Sequence, residues 1–232
     1  MQPVKRLLVI SDVHGQIDSF HALLEKIDFE PDQDLLFLLG DYVDRGSDPK
    51  ACVKEVRLLE RQGAIILKGN HEEMMEKALT EQTPESIAHW AANGGDETLR
   101  SYGVAIKELY RKAAAGESFT ISEELKSDLE WISQLNLYAQ TDHYLFVHAG
   151  INPERSLEEQ EEQDLLWIRE PFFSGYTGER TVIFGHTPTL NLHKTFDVYF
   201  GSNNIIGIDG GAVFGGQLNC LELPSKATWS VR

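Results

Sequence analysis

The chain has 232 residues, 41% of them hydrophobic and 25% charged, with a formal net charge of −16. That length and composition suit an ordered protein able to bury a sizeable core in one domain or at most two. The negative sign disfavours a nucleic-acid partner, because such binding works by neutralising phosphates with Lys and Arg.

No signal-peptide pattern and no stretch of membrane-spanning length is visible, so the expectation is a soluble cytoplasmic protein with no membrane partner. Cys52 and Cys220 make neither a ligand spacing nor a disulfide framework and are expected in the core. In chain order, the first aliphatic run predicts a strand over 4–10 that ends in Ser11-Asp12-Val13-His14-Gly15, followed by a helix over 16–28. A second strand, 35–39, ends in Gly40-Asp41 and then Asp44-Arg45-Gly46, with a helix over 49–62 behind it. A third, 64–68, ends in Gly69-Asn70-His71-Glu72 before a helix over 72–80. From about 72 to 140 the chain reads as a helical insertion, with Pro84 starting a helix and Asn93-Gly94-Gly95 turning between pieces. Strands over 144–148 and 181–185 then end in His148 and His186, and others near 205–209 and 217–223 complete an α/β alternation. The acidic run 156–166 reads as a solvated face. The economical organisation is one domain, 1–232, with the cap inserted.

Five strand ends thus carry Asp12, His14, Asp41, Asp44, Asn70, His71, His148 and His186. Side-by-side strands bring such ends to one edge, which is where open α/β sheets keep their sites. Carboxylate, amide and imidazole donors without thiolates suit borderline-hard divalent ions. Two ions sharing a bridging carboxylate, about 3.5–4 Å apart, clamp and activate a water for attack on phosphorus. Asp41 is the natural bridge, with Asp12 and His14 on one ion and Asn70, His148 and His186 on the other. Such ions would also reverse the local sign of a strongly anionic chain toward a phosphate.

The motifs Asp-Val-His-Gly, Gly-Asp-Tyr-Val-Asp-Arg-Gly, Gly-Asn-His-Glu, Val-His-Ala-Gly and Gly-His-Thr-Pro resemble those of calcineurin-like metallophosphoesterases, in particular the phosphoprotein phosphatase family. The segments GNHEEMM, WAANGG, LLWIRE, IFGHTP and IDGGAVFGG resemble its small bacterial and phage branch. The resemblance implies an α/β fold built as a two-sheet β-sandwich flanked by helices (α-β-β-α), with a helical insertion. It implies two divalent ions, Mn2+ first, with Fe, Co, Ni or Zn as alternatives. Asp12, His14 and Asp41 would hold one ion, and Asp41, Asn70, His148 and His186 the other. His71, held by Asp44, would protonate the leaving oxygen. Arg45 and Arg169, with Asn70, would bind phosphate oxygens.

The implied reaction is phosphomonoester hydrolysis by a hydroxide bridging the ions, without a phosphoenzyme. The implied partner is a phosphorylated protein or a small phosphoester, most simply a serine/threonine phosphoprotein. The alternative is a symmetrical diadenosine tetraphosphatase, against which Asp44 and Glu72 argue. A catalytically silent metal-binding scaffold has no use for a proton donor. Cysteine-phosphatase chemistry is excluded because Cys52 lacks a Cys-x5-Arg loop.

Other positions have duller readings beside the functional one. Arg169 could be a surface ion pair with Glu170, and His89 and Trp90 could face the site or pack the cap. Asp209 could support the site, or its following glycines could let strands approach. Ser11 stands where eukaryotic members carry glycine and is expected to matter little; His21, His143 and His193 are expected to be ordinary.

Overall fold

In the computed structural model, which describes residues 5–232, the first aliphatic run forms β1 (Arg6–Ile10); Val4 of the expected strand lies outside the described residues. Its side chains alternate between two cores. Leu8 and Ile10 pack with Phe20 and Leu23 of α1 (Ile17–Lys26) and Cys52 and Val56 of α2 (Pro49–Arg61). Val9 faces the other way, into a layer with Phe37, Phe146, Ile183, Ile206 and Leu221. β2 (Asp34–Leu38) divides in the same manner, Leu36 and Leu38 toward the helices and Phe37 inward. Burial on both faces explains why these strands read as unbroken apolar runs.

The first sheet has the order β10-β9-β1-β2-β3, with β3 (Ile65–Ile66), β9 (Leu218–Leu223) and β10 (Thr228–Val231). β1, β2 and β3 are parallel, and β9 runs antiparallel to β1. The second sheet has the order β4-β5-β6-β8-β7, with β4 (Tyr138–Gln140), β5 (Tyr144–Val147), β6 (Thr181–Phe184), β7 (Tyr199–Phe200) and β8 (Ile205–Gly207). β5, β6 and β8 are parallel. The sheets meet through the inner layer, where the rings of Phe37 and Phe146 stack 3.9 Å apart. On the outer face of the second sheet, Leu145, Val147, Val182 and Phe184 pack against Leu165 of α8 (Glu162–Trp167) and Phe172 of α9 (Glu170–Gly175). The result is the expected helix, sheet, sheet, helix layering.

The helical insertion is α3 (Asn70–Glu81), α4 (Pro84–Ala92), α5 (Gly95–Ser101), α6 (Ile106–Ala114) and α7 (Glu123–Ile132). It ends before the expected limit of 140, because Tyr138 to Gln140 pair with β5 and belong to the second sheet. Pro84 does start a helix, with Thr83 Oγ1 accepting from the Ser86 amide at 3.1 Å. Met74, Met75, Ile87, Trp90, Leu99 and Leu125 share an apolar cluster with Val43 and Val53, so the cap packs onto the loop after β2. The acidic run is only partly a solvated face, since Leu165 and Leu166 at its end are buried. Both cysteines are buried and unbridged, as expected. Among the described residues no helix is long and apolar enough to cross a membrane.

Candidate metal centre

Backbone pairing continues past the strand ends and carries the loops to one edge. The Asp12 amide donates to Gly40 O at 3.2 Å, the His14 amide to Asp41 O at 2.8 Å and the Gly185 amide to His148 O at 2.8 Å. The chain then turns sharply. Asp12, His14, Asp41, Asp44, Arg45 and His186 have φ of 57°, 45°, 59°, 70°, 68° and 61°, a left-handed conformation that L-residues with a Cβ rarely adopt. Strain of this kind persists only where surrounding structure enforces it.

Glu72 supplies part of that enforcement. It sits in the first turn of α3, fully buried, and its two carboxylate oxygens accept four backbone N–H groups. Gly69 and Asp41 donate to Oε2 at 2.9 and 2.8 Å, and Tyr42 and Val43 to Oε1 at 2.8 and 3.2 Å. Burial pushes this carboxyl up to about 7 against the pull of those donors. Sequence reasoning missed this role, because an acid in a first helical turn is commonplace.

The imidazoles are oriented from behind. Nδ1 of His14 donates to Val43 O at 3.0 Å and Nδ1 of His148 to Leu39 O at 2.8 Å, which leaves each Nε2 with a lone pair facing the site. Those nitrogens lie 3.5 and 3.4 Å from Oδ2 and Oδ1 of Asp41, one on either side. Oδ1 of Asn70 is 2.8 Å from His148 Nε2 and 2.9 Å from His186 Nδ1. With the His148 proton on Nδ1, two acceptors confront each other at hydrogen-bonding distance with no proton between them. Nε2 of His186 is buried and has no hydrogen-bond partner among the described residues. Burial first, then neighbouring cationic groups, holds the His14 and His186 rings below the usual imidazole range, and burial lowers His148 as well. Burial, Asp12 and Glu72 together raise Asp41 well above the carboxylate range.

Neutral imidazoles, crowded carboxylates and facing lone pairs are what cations between them would relieve. His14, Asp41 and His71 form one group with ligand atoms within 4.8 Å of one another, and Asp41, His148 and His186 form another, sharing Asp41. The donor set fits two borderline-hard divalent ions. Asp12 stands beside rather than within these groups. Its oxygens accept from the His186 amide at 3.1 and 3.0 Å, and Ser11 Oγ donates to Oδ2 at 2.5 Å, a contact that gives Ser11 more to do than expected.

His71 and Asp44 form a buried pair at 2.6 Å between Nδ1 and Oδ2. His71 Nε2 points inward, 4.0 Å from Asp41 Oδ2. Asp44 also accepts from the Trp90 indole at 2.9 and 3.0 Å and from Thr98 Oγ1 at 2.6 Å. Burial raises the Asp44 carboxyl to about 7, against these donors, and lowers His71. Both readings of the cap helix therefore hold in part: Trp90 packs inward and grips the pair, while His89 is exposed near Trp167, itself against His186. Thr98 had no signal in the sequence.

Arg45 Nη1 is 2.9 Å from His14 Nε2, and its amide donates to Gly94 O at 3.1 Å. Gly94 is required there, since its φ is +100° and a Cβ would meet Arg45 Cγ at 2.6 Å. Arg169 is exposed at the cavity mouth but held by Thr187 Oγ1 at 2.5 Å, with Asp209, Asp12 and Asp41 around its charge, so it faces the site rather than pairing with Glu170. Asp209 is buried beside Asp12 with Oδ1 accepting from the Gly211 amide at 2.8 Å. Both guanidiniums and His186 open onto a cavity of about 590 Å3.

The chain is 33% identical over 225 residues to serine/threonine-protein phosphatase 1 of Salmonella typhimurium, covering 94% of this chain and 92% of that one. It is 30% identical over 151 residues to the symmetrical bis(5'-nucleosyl)-tetraphosphatase of Glaesserella parasuis, 64% of this chain and 46% of the relative. In fold it is similar to a protein serine/threonine phosphatase of Saccharomyces cerevisiae, with a TM-score of 0.62 at 16% identity over 96% of this chain and 73% of that one. The profile of the calcineurin-like phosphoesterases matches residues 5–216. A match of that extent shows that the chain belongs to the calcineurin-like phosphoesterase family and is a metallophosphoesterase.

Proposed function

We propose that the enzyme hydrolyses phosphomonoesters of alcohols, with phosphoserine and phosphothreonine residues of proteins as its substrate class. His14 and Asp41 would hold one divalent ion, with Asp12 joining them by turning an oxygen from the His186 amide, and Asp41, Asn70, His148 and His186 would hold a second, with manganese the first choice. The ions supply Lewis acidity and an activated water. Arg45 and Arg169 bind the phosphoryl oxygens and offset charge that grows as the ester bond lengthens. Asn70 joins them through its amide. The His71–Asp44 pair, when it carries two protons, delivers the one on His71 Nε2 to the leaving oxygen and keeps the other between Nδ1 and Asp44.

The observation that carries the choice of substrate is the His71–Asp44 pair, buried at 2.6 Å and gripped by Trp90 and Thr98. An alkoxide is a poor leaving group and needs a proton donor. A phenolate needs one less, and the phosphate leaving group of a dinucleoside polyphosphate needs it least. The Salmonella relative's name agrees with this reading, and that of the Glaesserella relative favours the alternative, symmetrical cleavage of diadenosine tetraphosphate.

The test compares wild type and His71→Asn on a phosphoserine peptide, p-nitrophenyl phosphate and diadenosine tetraphosphate, with bound metal measured by mass spectrometry. The peptide rate should fall by about 10²–10⁴ and the others far less, with metal content kept. Equal losses on all three substrates would remove the proton-donor reading. Faster wild-type turnover of the dinucleotide than of the peptide would move the enzyme to the alternative.

A further inference from the structure

Beyond Arg45, Arg169, His186 and Asn191, the wall of the 590 Å3 cavity is apolar: Pro188, Leu190, Phe196 and Phe214. Phe214 is 62% exposed and Leu190 46%. A clamped loop holds Phe214 in that position. The Gly211 amide donates to Asp209 Oδ1 at 2.8 Å, the Gly216 amide to Gly211 O at 3.0 Å and the Gln217 amide to Gly210 O at 2.9 Å. The ring of Phe196 closes the base of the loop, lying 2.7 Å from where a Cβ on Gly216 would stand. Phe214 and Leu190 are exposed together on one cavity wall, and a contiguous apolar patch rimmed by polar groups marks a place of contact. The Phe214 ring centre lies 5.1 Å from the Arg45 guanidinium carbon, so the apolar wall begins where the phosphate grip ends.

We propose that this cavity is a peptide subsite that takes a large apolar side chain adjacent to the phosphorylated residue; the inference rests on the phosphoprotein reading above. A phosphoserine itself offers only a methylene group and cannot reach or fill such a wall. The next residue lies about 3.3–3.6 Å farther along the chain, and because successive side chains of an extended strand face opposite ways, the peptide turns at the phosphoresidue to set that side chain against Phe214 and Leu190 while the arginines keep the phosphate. Selectivity in this enzyme then follows from the neighbour of the phosphoresidue.

The experiment measures kcat/KM for phosphoserine peptides carrying Phe, Leu or Gly on either side of the phosphoresidue, using wild type, Leu190→Ala, Phe214→Ala and Phe214→Leu. Wild type should prefer an apolar neighbour by about tenfold. The preference should collapse in both alanine variants and return in part in Phe214→Leu. Comparing peptides within each variant cancels any general effect of lost packing on Arg45. A wild-type preference below about twofold, or one that survives both alanine variants, would overturn the subsite. So would variants that leave peptide preference intact and raise KM for diadenosine tetraphosphate, because the cavity would then take a purine. Turnover of all peptides without neighbour preference overturns the subsite alone, whereas no turnover of any phosphopeptide overturns the phosphoprotein reading.

Discussion

Replacing Glu72 by Gln asks how much of the site's geometry one buried carboxylate enforces. In wild type its two oxygens accept four N–H groups, from Gly69, Asp41, Tyr42 and Val43. A glutamine offers a single carbonyl oxygen, which satisfies two of them, and turns an NH2 toward the other two. Leaving two buried donors unpaired costs about 1–3 kcal/mol each, so the variant should lose roughly 2–6 kcal/mol. That is a large share of the roughly 5–15 kcal/mol that a domain possesses. The sign of the pH dependence is fixed as well. Burial raises folded Glu72 to about 7 from a usual 4.5, so its proton stabilises the folded chain, fully below the unfolded value and no longer above the folded one. The gap between wild type and the glutamine variant should therefore widen as pH falls from 7 toward 4.5, by about 1.4 kcal/mol per pH unit at most. Urea titrations of both proteins after chelation, at several pH values, read this directly. A stability difference near zero would refute the assignment of Glu72 as the brace of the loop after β2, and one that narrows with acid would refute the raised carboxyl.

Other perturbations separate the remaining roles. Trp90→Phe removes the indole donor from Asp44 and should slow hydrolysis of a phosphoserine peptide about tenfold while sparing p-nitrophenyl phosphate; equal slowing would mean that Trp90 merely packs the cap. Gly94→Ala forces a Cβ against Arg45 at a left-handed position, so KM for phosphoesters should rise and stability fall by about 1–2 kcal/mol, as read by kinetics and denaturation. Adding Mn2+ at about 100 times its dissociation constant should stabilise the chelated wild type by about 2.7 kcal/mol per site, and Asp41→Asn should lose most of that gain in calorimetry. An undiminished gain in the variant would show that Asp41 does not join the two donor groups.

Much of this site is legible in the sequence for one physical reason. Parallel strands covered on both faces must be aliphatic throughout, so Asp12, Asp41, Asn70, His148 and His186 mark the points where the chain leaves the sheet. Side-chain direction is not written in that pattern. It places Asp12 and His71 near Asp41 equally well, and only the structure shows His71 within a donor group and Asp12 turned to the His186 amide. Contacts between distant segments are equally silent: Trp90 and Thr98 reach Asp44 from 46 and 54 residues away. The strands that escaped detection, β4, β7 and β10, are short or half-buried, and such strands lack the continuous apolar run that marks β1 and β2.

The left-handed residues show what gathering these groups demands of the backbone, and Arg45 allows the demand to be measured. Its φ is 68°, and its side chain is only partly buried. Arg45→Gly and Arg45→Ala both delete the guanidinium, the cation–π contact to Phe214 and the contact with His14, so both should bind phosphate poorly. They differ in the backbone alone. At an ordinary position glycine is the less stable of the two by about 0.5–1 kcal/mol, because it loses more conformational freedom on folding. In the left-handed region a Cβ costs about 1–2 kcal/mol, which reverses the order. Arg45→Gly should therefore be more stable than Arg45→Ala, while the exposed helical position Lys54 should show the normal order with the same two substitutions. Urea midpoints decide the matter. If alanine is the more stable residue at both positions, the turn at Arg45 holds no strain, and the cap contact through Gly94 O does not need to enforce it.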